Sequence, residues 1–305
     1  MLLITGFFCK KYGIFNDATV NAINKFIVFI GYPCLILGRL AVLDMDHSLF
    51  INFLLSLFIN LGLLLLFGAY ARLYCRGRRF PEEDKPDMEF SIMSPNNGFM
   101  GFPVAISFFG DIGLLYMIGS NVALNTMFFT YGSALMKRGR EIEAESVPKK
   151  LKKLLISLAH PTICAAFVGI LICYSRVELP GFAIEYLNII GPIAPALAMI
   201  SIGTMLAGGF GPHSFRKRIV MEPVLNRLLV TPLITFIVLW FLPIDPFMKT
   251  ILIVSSTMPV AAFVPIISEQ HGRNKSLAGE TVVISTLFSM ATIPFAIWIL
   301  NNTGF

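Results

Sequence analysis

Apolar stretches long enough to cross a bilayer follow one another along this chain with almost no charge inside them. His47 to Ala71 contains no Asp, Glu, Lys or Arg, and the same holds for residues 112–136, for 154–175, and from Thr281 to the C-terminus. A helix crosses the hydrocarbon core with roughly 20 residues. Backbone groups in lipid must be satisfied internally, so the spanning choices are helices or a closed barrel. The runs are continuous and rich in Leu and Ile, with no alternation of period two, which excludes a barrel. Of the 305 residues, 56% are hydrophobic and 14% charged, against roughly a quarter charged in soluble domains. Such a chain cannot cover itself with a polar surface, so its exterior faces lipid.

These runs give ten spans: 1–13, 20–43, 47–71, 89–110, 112–136, 154–175, 182–208, 219–242, 249–270 and 277–301. Short basic loops stay on the cytoplasmic side. The loops after the odd-numbered spans hold nineteen Lys and Arg, while those after the even-numbered spans hold Arg39, Arg176 and Lys249. The alternation places both termini outside and supports the count of ten independently of hydropathy. The net charge of +6 is spread over these loops, so it reflects topology and implies no nucleic-acid partner. Cys9, Cys34, Cys75, Cys164 and Cys173 show no CxxC and no framework spacing; neither a disulfide nor a metal or other cofactor is expected. The first apolar stretch lacks a basic leader region, so no cleavable signal peptide is read here.

Ten spans divide around the basic segment 137–153 into two repeats, 1–143 and 144–305. A repeat with an odd number of spans returns inverted. At an offset of 162 residues Pro33 matches Pro195, Pro81 matches Pro243, Pro103 matches Pro265, and Gly110 matches Gly272. Paired interrupted spans at corresponding places of two halves point to the site of a secondary transporter. Span 4 carries Pro95, Asn96, Asn97, Gly98, Gly101 and Pro103 in its middle. Proline lacks an N–H and glycine frees the backbone, so an unwound stretch at about 96–102 is expected, with a second half-helix from near Pro103. Span 9 carries Ser255, Ser256, Thr257, Pro259 and Pro265, which predicts a second half-helix from near Pro265. The two breaks would cross at mid-membrane. Free N–H groups at the half-helix N-termini suit an anion. The candidate substrate-binding residues are therefore Asn96, Asn97, Gly98, Gly101, Pro103, Asn125, Ser256, Thr257, Pro259 and Pro265. At Pro33, Pro192 and Pro195 ordinary packing kinks account for the prolines equally well.

Asn121 and Asn125, one turn apart on span 5, either face the crossing or bond neighbouring helices. Glu222 and Arg227 are read as a structural or snorkelling pair near the cytoplasmic end of span 8. His160 is read as structural, and Glu269 and His271 as solvated. No acidic residue lies at the middle of spans 4, 5, 9 or 10, so a carboxylate relay for protons or cations finds no support.

Three stretches resemble the auxin efflux carrier family of membrane transport proteins. They are Pro95-Asn96-Asn97 with Gly101-Phe102-Pro103; Asn226-Arg227-Leu228-Leu229-Val230-Thr231-Pro232; and Met258-Pro259 through Ser268-Glu269-Gln270-His271-Gly272 to Ser285-Thr286-Leu287 and Pro294. The resemblance spans nearly the whole chain in order. It implies an all-α membrane fold like that of bile-acid symporters, with crossed broken helices 4 and 9. It further implies a scaffold of spans 1, 2, 6 and 7 through which two copies pair, and a transport domain of spans 3–5 and 8–10 that moves as an elevator. The implied substrate is a small organic anion such as a carboxylate, touched by Asn96. Span 1 is shorter than the family's, which suggests a start at an internal methionine. Span 3 lacks the acidic residue of the plant carriers' auxiliary site. The short central loop suggests a bacterial protein of the plasma membrane. A Na⁺-coupled symporter of the bile-acid type and a membrane sensor without transport are the other readings. No nucleophile–base pair, metal cluster or phosphate loop suggests an enzyme.

Overall fold

The computed structural model describes residues 1–43, 45–139, 159–175, 177–207, 214 and 216–303. Most of the central basic segment, the expected repeat boundary at 143/144, the first residues of span 6 and Arg176 lie outside the described residues. The regular structure of the described residues is helical, joined by short turns and loops, apart from one isolated antiparallel bridge. In chain order the helices are α1 (Leu2–Lys11), α2 (Asp17–Phe26), α3 (Tyr32–Leu40), α4 (His47–Arg76), α5 (Lys85–Met93), α6 (Phe102–Met127) and α7 (Ser133–Met136). After the central segment come α8 (Pro161–Ser175), α9 (Gly181–Ile190), α10 (Ile193–Ala207), α11 (Arg218–Leu225), α12 (Thr231–Trp240), α13 (Pro246–Thr257), α14 (Val264–Gln270) and α15 (Lys275–Thr303).

Among the described residues six helical stretches are long and apolar enough to cross a membrane: Asp17–Leu40, His47–Arg76, Asn97–Met136, Gly181–Ala207, Arg218–Trp240 and Lys275–Leu300. Large apolar side chains such as Phe58, Leu65, Phe108, Phe182 and Phe295 stand exposed around the outside, an outer surface suited to lipid and not to water. The inward face of α4 is read from burial, since its hydrophobicity is nearly uniform around the axis. Phe53, Ser56, Asn60, Leu63, Leu64, Phe67, Ala71 and Cys75 are buried at spacings of three and four, one stripe of a 3.6-residue period. On that stripe Asn60 donates to Ser120 Oγ of α6 at 2.6 Å. Asp46 caps the start of α4, its carboxylate accepting from Leu49 N at 2.7 Å, and Asp245 caps α13 in the same way.

Among the described residues four π-helical turns interrupt the ladder, at Ile27–Gly31, Asn97–Gly101, Phe128–Gly132 and Asn226–Val230. Three of them are followed two residues later by a proline, Pro33, Pro103 and Pro232. A proline inside a helix donates no hydrogen bond, and its ring crowds the preceding turn. Widening that turn to the π form makes room for the ring while the helix continues.

Helix α1 lies along α10 in direct backbone contact. A Cβ on Gly6 would sit 1.9 Å from Ile200 O, and one on Gly203 would sit 2.1 Å from Leu3 O. Small residues permit such backbone contact between membrane helices. α3 packs on α8 and α9; α4 packs on α5 and α6; α13 packs on α6 and α12; and α15 packs on α11 and α14. Gly110, with φ 64°, turns the chain sharply inside the α6 stretch, and Gly272, with φ 63°, ends the segment after α14. Both adopt the left-handed backbone that glycine alone takes without strain.

The expected unwound stretch at 96–102 needs correction. The break is confined to Ser94–Asn96, and the helix restarts at Asn97. The reason is local: Asn96 caps the new helix, its Oδ1 accepting from Phe99 N at 3.3 Å, while the glycines are absorbed in the π turn. In span 9 the second half-helix starts at Val264 with Pro265 in its first turn, as the proline predicts.

The α1–α10 contact leaves no room for a side chain. Gly6→Val should therefore lower the unfolding free energy by about 1–3 kcal/mol through overpacking, read as a fall in melting temperature of the purified protein in detergent. An unchanged melting temperature would contradict the close approach.

Candidate functional site

The ends of two broken helices meet at one point. α5 stops at Met93 and α13 at Thr257, and the extended segments that follow pair antiparallel at Pro95 and Val260. Asn96 N donates to Pro259 O at 2.8 Å, and Ala261 N donates to Ser94 O at 2.9 Å. Val260 N donates to Ser285 Oγ of α15 at 3.1 Å. Pro95 and Pro259 have no N–H to satisfy, so this short ladder leaves few backbone donors unpaired.

The asparagine side chains are only half satisfied. Asn97 Oδ1 accepts from Ser255 Oγ at 3.1 Å, and Asn96 Oδ1 accepts from Phe99 N. The amide Nδ2 atoms of both residues are buried and have no partner, and the same is true of Ser94 Oγ. Buried donors without partners are rare and costly, about 1–3 kcal/mol each. Beside them lies a cavity of about 30 Å³, room for little more than a single water. Asn96, Asn97, Gly98, Asn121 and Asn125 are among its walls. Asn121 and Asn125 thus face the crossing, and Asn125 Nδ2 donates to Asn121 Oδ1 at 2.9 Å. Tyr32 of α3 donates to Gly98 O at 2.9 Å and packs edge-on against Phe102.

A larger cleft of about 350 Å³ adjoins this cavity, lined by Asn21, Asn24 and Lys25 of α2, Ser201 and Met205 of α10, and Ala262 at the second break. Its size suits a small ligand. Val28, Phe99, His160 and Phe263 line both spaces and form the partition between them. The Phe99 and Phe263 rings meet edge to face with centroids 5.8 Å apart. Lys25 is exposed and has no ion pair with any described residue. His160 also starts α8, and its Nδ1 is buried without a partner.

The reading of Glu222 and Arg227 as a pair near a helix end is corrected here. Glu222 pairs with Arg218 at 2.8 Å and Arg78 at 3.3 Å, and accepts from Tyr74 Oη. Arg227 is fully buried and turns to the crossing. Its Nη1 donates to Ile92 O at 3.1 Å, Nε to Met258 O at 3.2 Å, and Nη2 to Ser256 O. The π turn at Asn226–Val230 carries it there, and the Phe67 ring lies beneath its guanidinium at 5.4 Å.

Of the ten residues singled out from sequence, Asn96, Asn97, Gly98 and Asn125 line the small cavity. Pro259 contributes its carbonyl to the bridge, and Ser256 its carbonyl to Arg227. The Ser256 and Thr257 hydroxyls bond back to Ile253 O and Val254 O of their own helix. Gly101 packs against Met117, where a Cβ would come within 2.9 Å of Sδ. Pro103 and Pro265 stand in the first turns of α6 and α14. Sequence reasoning missed Lys25, Tyr32 and the inward turn of Arg227. The signal for two of them was present, since a lone Lys and a lone Arg inside apolar spans are costly to place in lipid.

The family model described as "Membrane transport protein" matches residues 1–297. The chain is 24% identical to an uncharacterized transporter of Methanocaldococcus jannaschii, over 99% of this chain and 96% of that one. It is 23% identical to an uncharacterized transporter of Methanothermobacter thermautotrophicus, over 96% and 93% of the two chains. A Rhizobium meliloti protein provisionally named as a malonate transporter is 22% identical over 99% of this chain and 93% of its own. With the family model covering almost its full length, the chain belongs to the membrane transport protein family, that of the auxin efflux carriers, and is a multi-pass membrane transporter and not an enzyme.

Proposed function

We propose that this chain is a secondary carrier that moves a small organic anion, a carboxylate, through the crossing of its two broken helices. One observation carries the reading: the unpartnered, buried amide donors of Asn96 and Asn97 beside the small cavity. Donors left open at so high a cost await an acceptor. A carboxylate supplies one, and the start of the helix at Asn97 adds the positive end of its dipole. In the adjoining cleft Lys25 is the cation that would draw an anion toward the partition. The name of the Rhizobium meliloti relative suggests malonate as a first substrate to try.

The same proposal includes ten crossings in two inverted repeats. Asn97–Met136 spans 40 residues, about 60 Å as one straight helix and twice the hydrocarbon thickness. The turn at Gly110 supports two crossings there. Gly110 and Gly272 each follow the second half of a broken helix with nearly the same φ, which supports the repeat. Packing of α1 on α10 and of α3 on α8 and α9 supports a scaffold distinct from the helices around the breaks. The cleft runs along α2 and α10 on one side and the breaks on the other, the seam along which an elevator would slide. Pairing of two copies through that scaffold, a plasma-membrane location and termini on the outside belong to the same reading.

Asn96→Ala and Asn97→Ala should each weaken malonate binding by roughly 1–3 kcal/mol, measured by calorimetry on purified protein, with folding retained. Malonate affinity equal to wild type in both variants would move the site elsewhere. Lys25→Ala should raise the KM for malonate uptake into proteoliposomes several-fold and flatten its salt dependence, with little change in maximal rate; an unaltered KM would remove Lys25 from the path. For topology, a cysteine replacing Lys275 should be labelled from the cytoplasmic side only and one replacing Glu178 from outside, and the opposite pattern would reverse the orientation.

A further inference from the structure

Carriers with a broken-helix crossing have two kinds of helix end to satisfy. The half-helix N-termini carry partial positive charge and hold anions, while the C-terminal carbonyls carry partial negative charge and commonly hold the coupling cation. In this chain three carbonyls at or just past these C-terminal ends are already taken. Ile92 O lies at the end of α5, Ser256 O at the end of α13, and Met258 O just beyond. All three accept hydrogen bonds from the one guanidinium of Arg227. The side chain is fully buried, and no carboxylate pairs with it among the described residues. A lone arginine in a membrane interior needs a counter-charge. Here the counter-charge is the pair of negative helix ends, with the Phe67 ring face beneath.

We propose that Arg227 is a resident cation of the crossing: it permanently occupies the carbonyl cluster in which a carrier of this build would otherwise bind Na⁺, and it positions the two breaks against each other. The inference deepens the reading of the crossing as an anion site and rests on it. With the C-terminal side neutralised by a covalently attached charge, the anion binds to the N-terminal side without a cation from solution. Each guanidinium bond goes to a different carbonyl on one of two chain segments, so the planar fork fixes their distance and angle. The three rotatable donors of a lysine ammonium reproduce the charge but not that fork. Arg227 touches no substrate in this arrangement and acts through the two breaks it joins.

The test needs no transported anion. Thermal unfolding of the purified protein is followed in choline chloride of constant ionic strength, with NaCl or methylguanidinium chloride replacing choline stepwise. Wild type should give a flat response to Na⁺. Arg227→Ala should melt roughly 5 °C or more below wild type, and millimolar methylguanidinium should restore part of that loss along a saturating curve. Arg227→Lys should melt between the two and be unresponsive to either cation. The inference is overturned if Na⁺ stabilises the wild type saturably, if Arg227→Ala melts with wild type, or if methylguanidinium leaves the variant unchanged. Should Arg227→Ala fail to fold, the wild-type Na⁺ titration and the Arg227→Lys variant still decide the matter. A flat wild-type Na⁺ response combined with absent malonate binding would sink the anion site and leave the role of Arg227 standing.

Discussion

A protein that breaks two helices inside a membrane must find partners for the backbone groups those breaks release, because lipid offers none. Everything around the crossing answers to that requirement. The two extended segments pair with each other through Asn96 N and Pro259 O, and through Ala261 N and Ser94 O. Pro95 and Pro259 remove two donors that would otherwise need a partner. Ser285 of α15 supplies the acceptor for Val260 N, and Arg227 covers three carbonyls from a third direction. The crossing is therefore a joint among α5, α13, α15 and the π turn between α11 and α12, and none of these elements could shift alone without stranding a polar group.

Against that background of satisfied groups, the unsatisfied ones stand out. The amide nitrogens of Asn96 and Asn97 are buried beside the small cavity with nothing to bond among the described residues, and Ser94 Oγ is likewise unpartnered. The two sides of the joint thus differ in kind: acceptors are neutralised by a built-in guanidinium, and donors are left open. That asymmetry is what the proposed anion site rests on. The partition of Val28, Phe99, His160 and Phe263 separates it from the wider cleft that holds Lys25. Phe99 lies in the π turn just after the first break and Val28 on the opposite wall.

The prolines act in two ways. At the breaks they remove donors, and in the continuous helices they widen the turn before them. Pro33, Pro103 and Pro232 each follow a π turn by two residues. The turn before Pro232 swings Arg227 inward, and the turn before Pro103 follows Asn96 directly. A device that looks like a local defect is thereby used to aim side chains that an unbroken α-helix would point elsewhere.

The sequence alone determined the membrane class, the helical character of the apolar runs and the existence of both breaks. Bilayer thickness sets the length of an apolar run, and proline and glycine act through their own backbone, so these properties are legible residue by residue. Asn96, Asn97, Gly98 and Asn125 were legible at the cavity for the same reason, since asparagine among prolines and glycines in lipid has no local excuse. The extent of the first break was misread, because Asn96 caps the helix through its own side chain and restarts it at Asn97. The direction of Arg227, the inward-facing hydroxyl of Tyr32 and the cleft beside Lys25 were decided only by tertiary structure. A side chain on a uniformly apolar helix carries no mark of which neighbour it faces. That choice follows from the rotation of the helix about its axis, which is fixed by packing against segments distant in the chain, as in the bond from Arg227 to Ile92 O, 135 residues away.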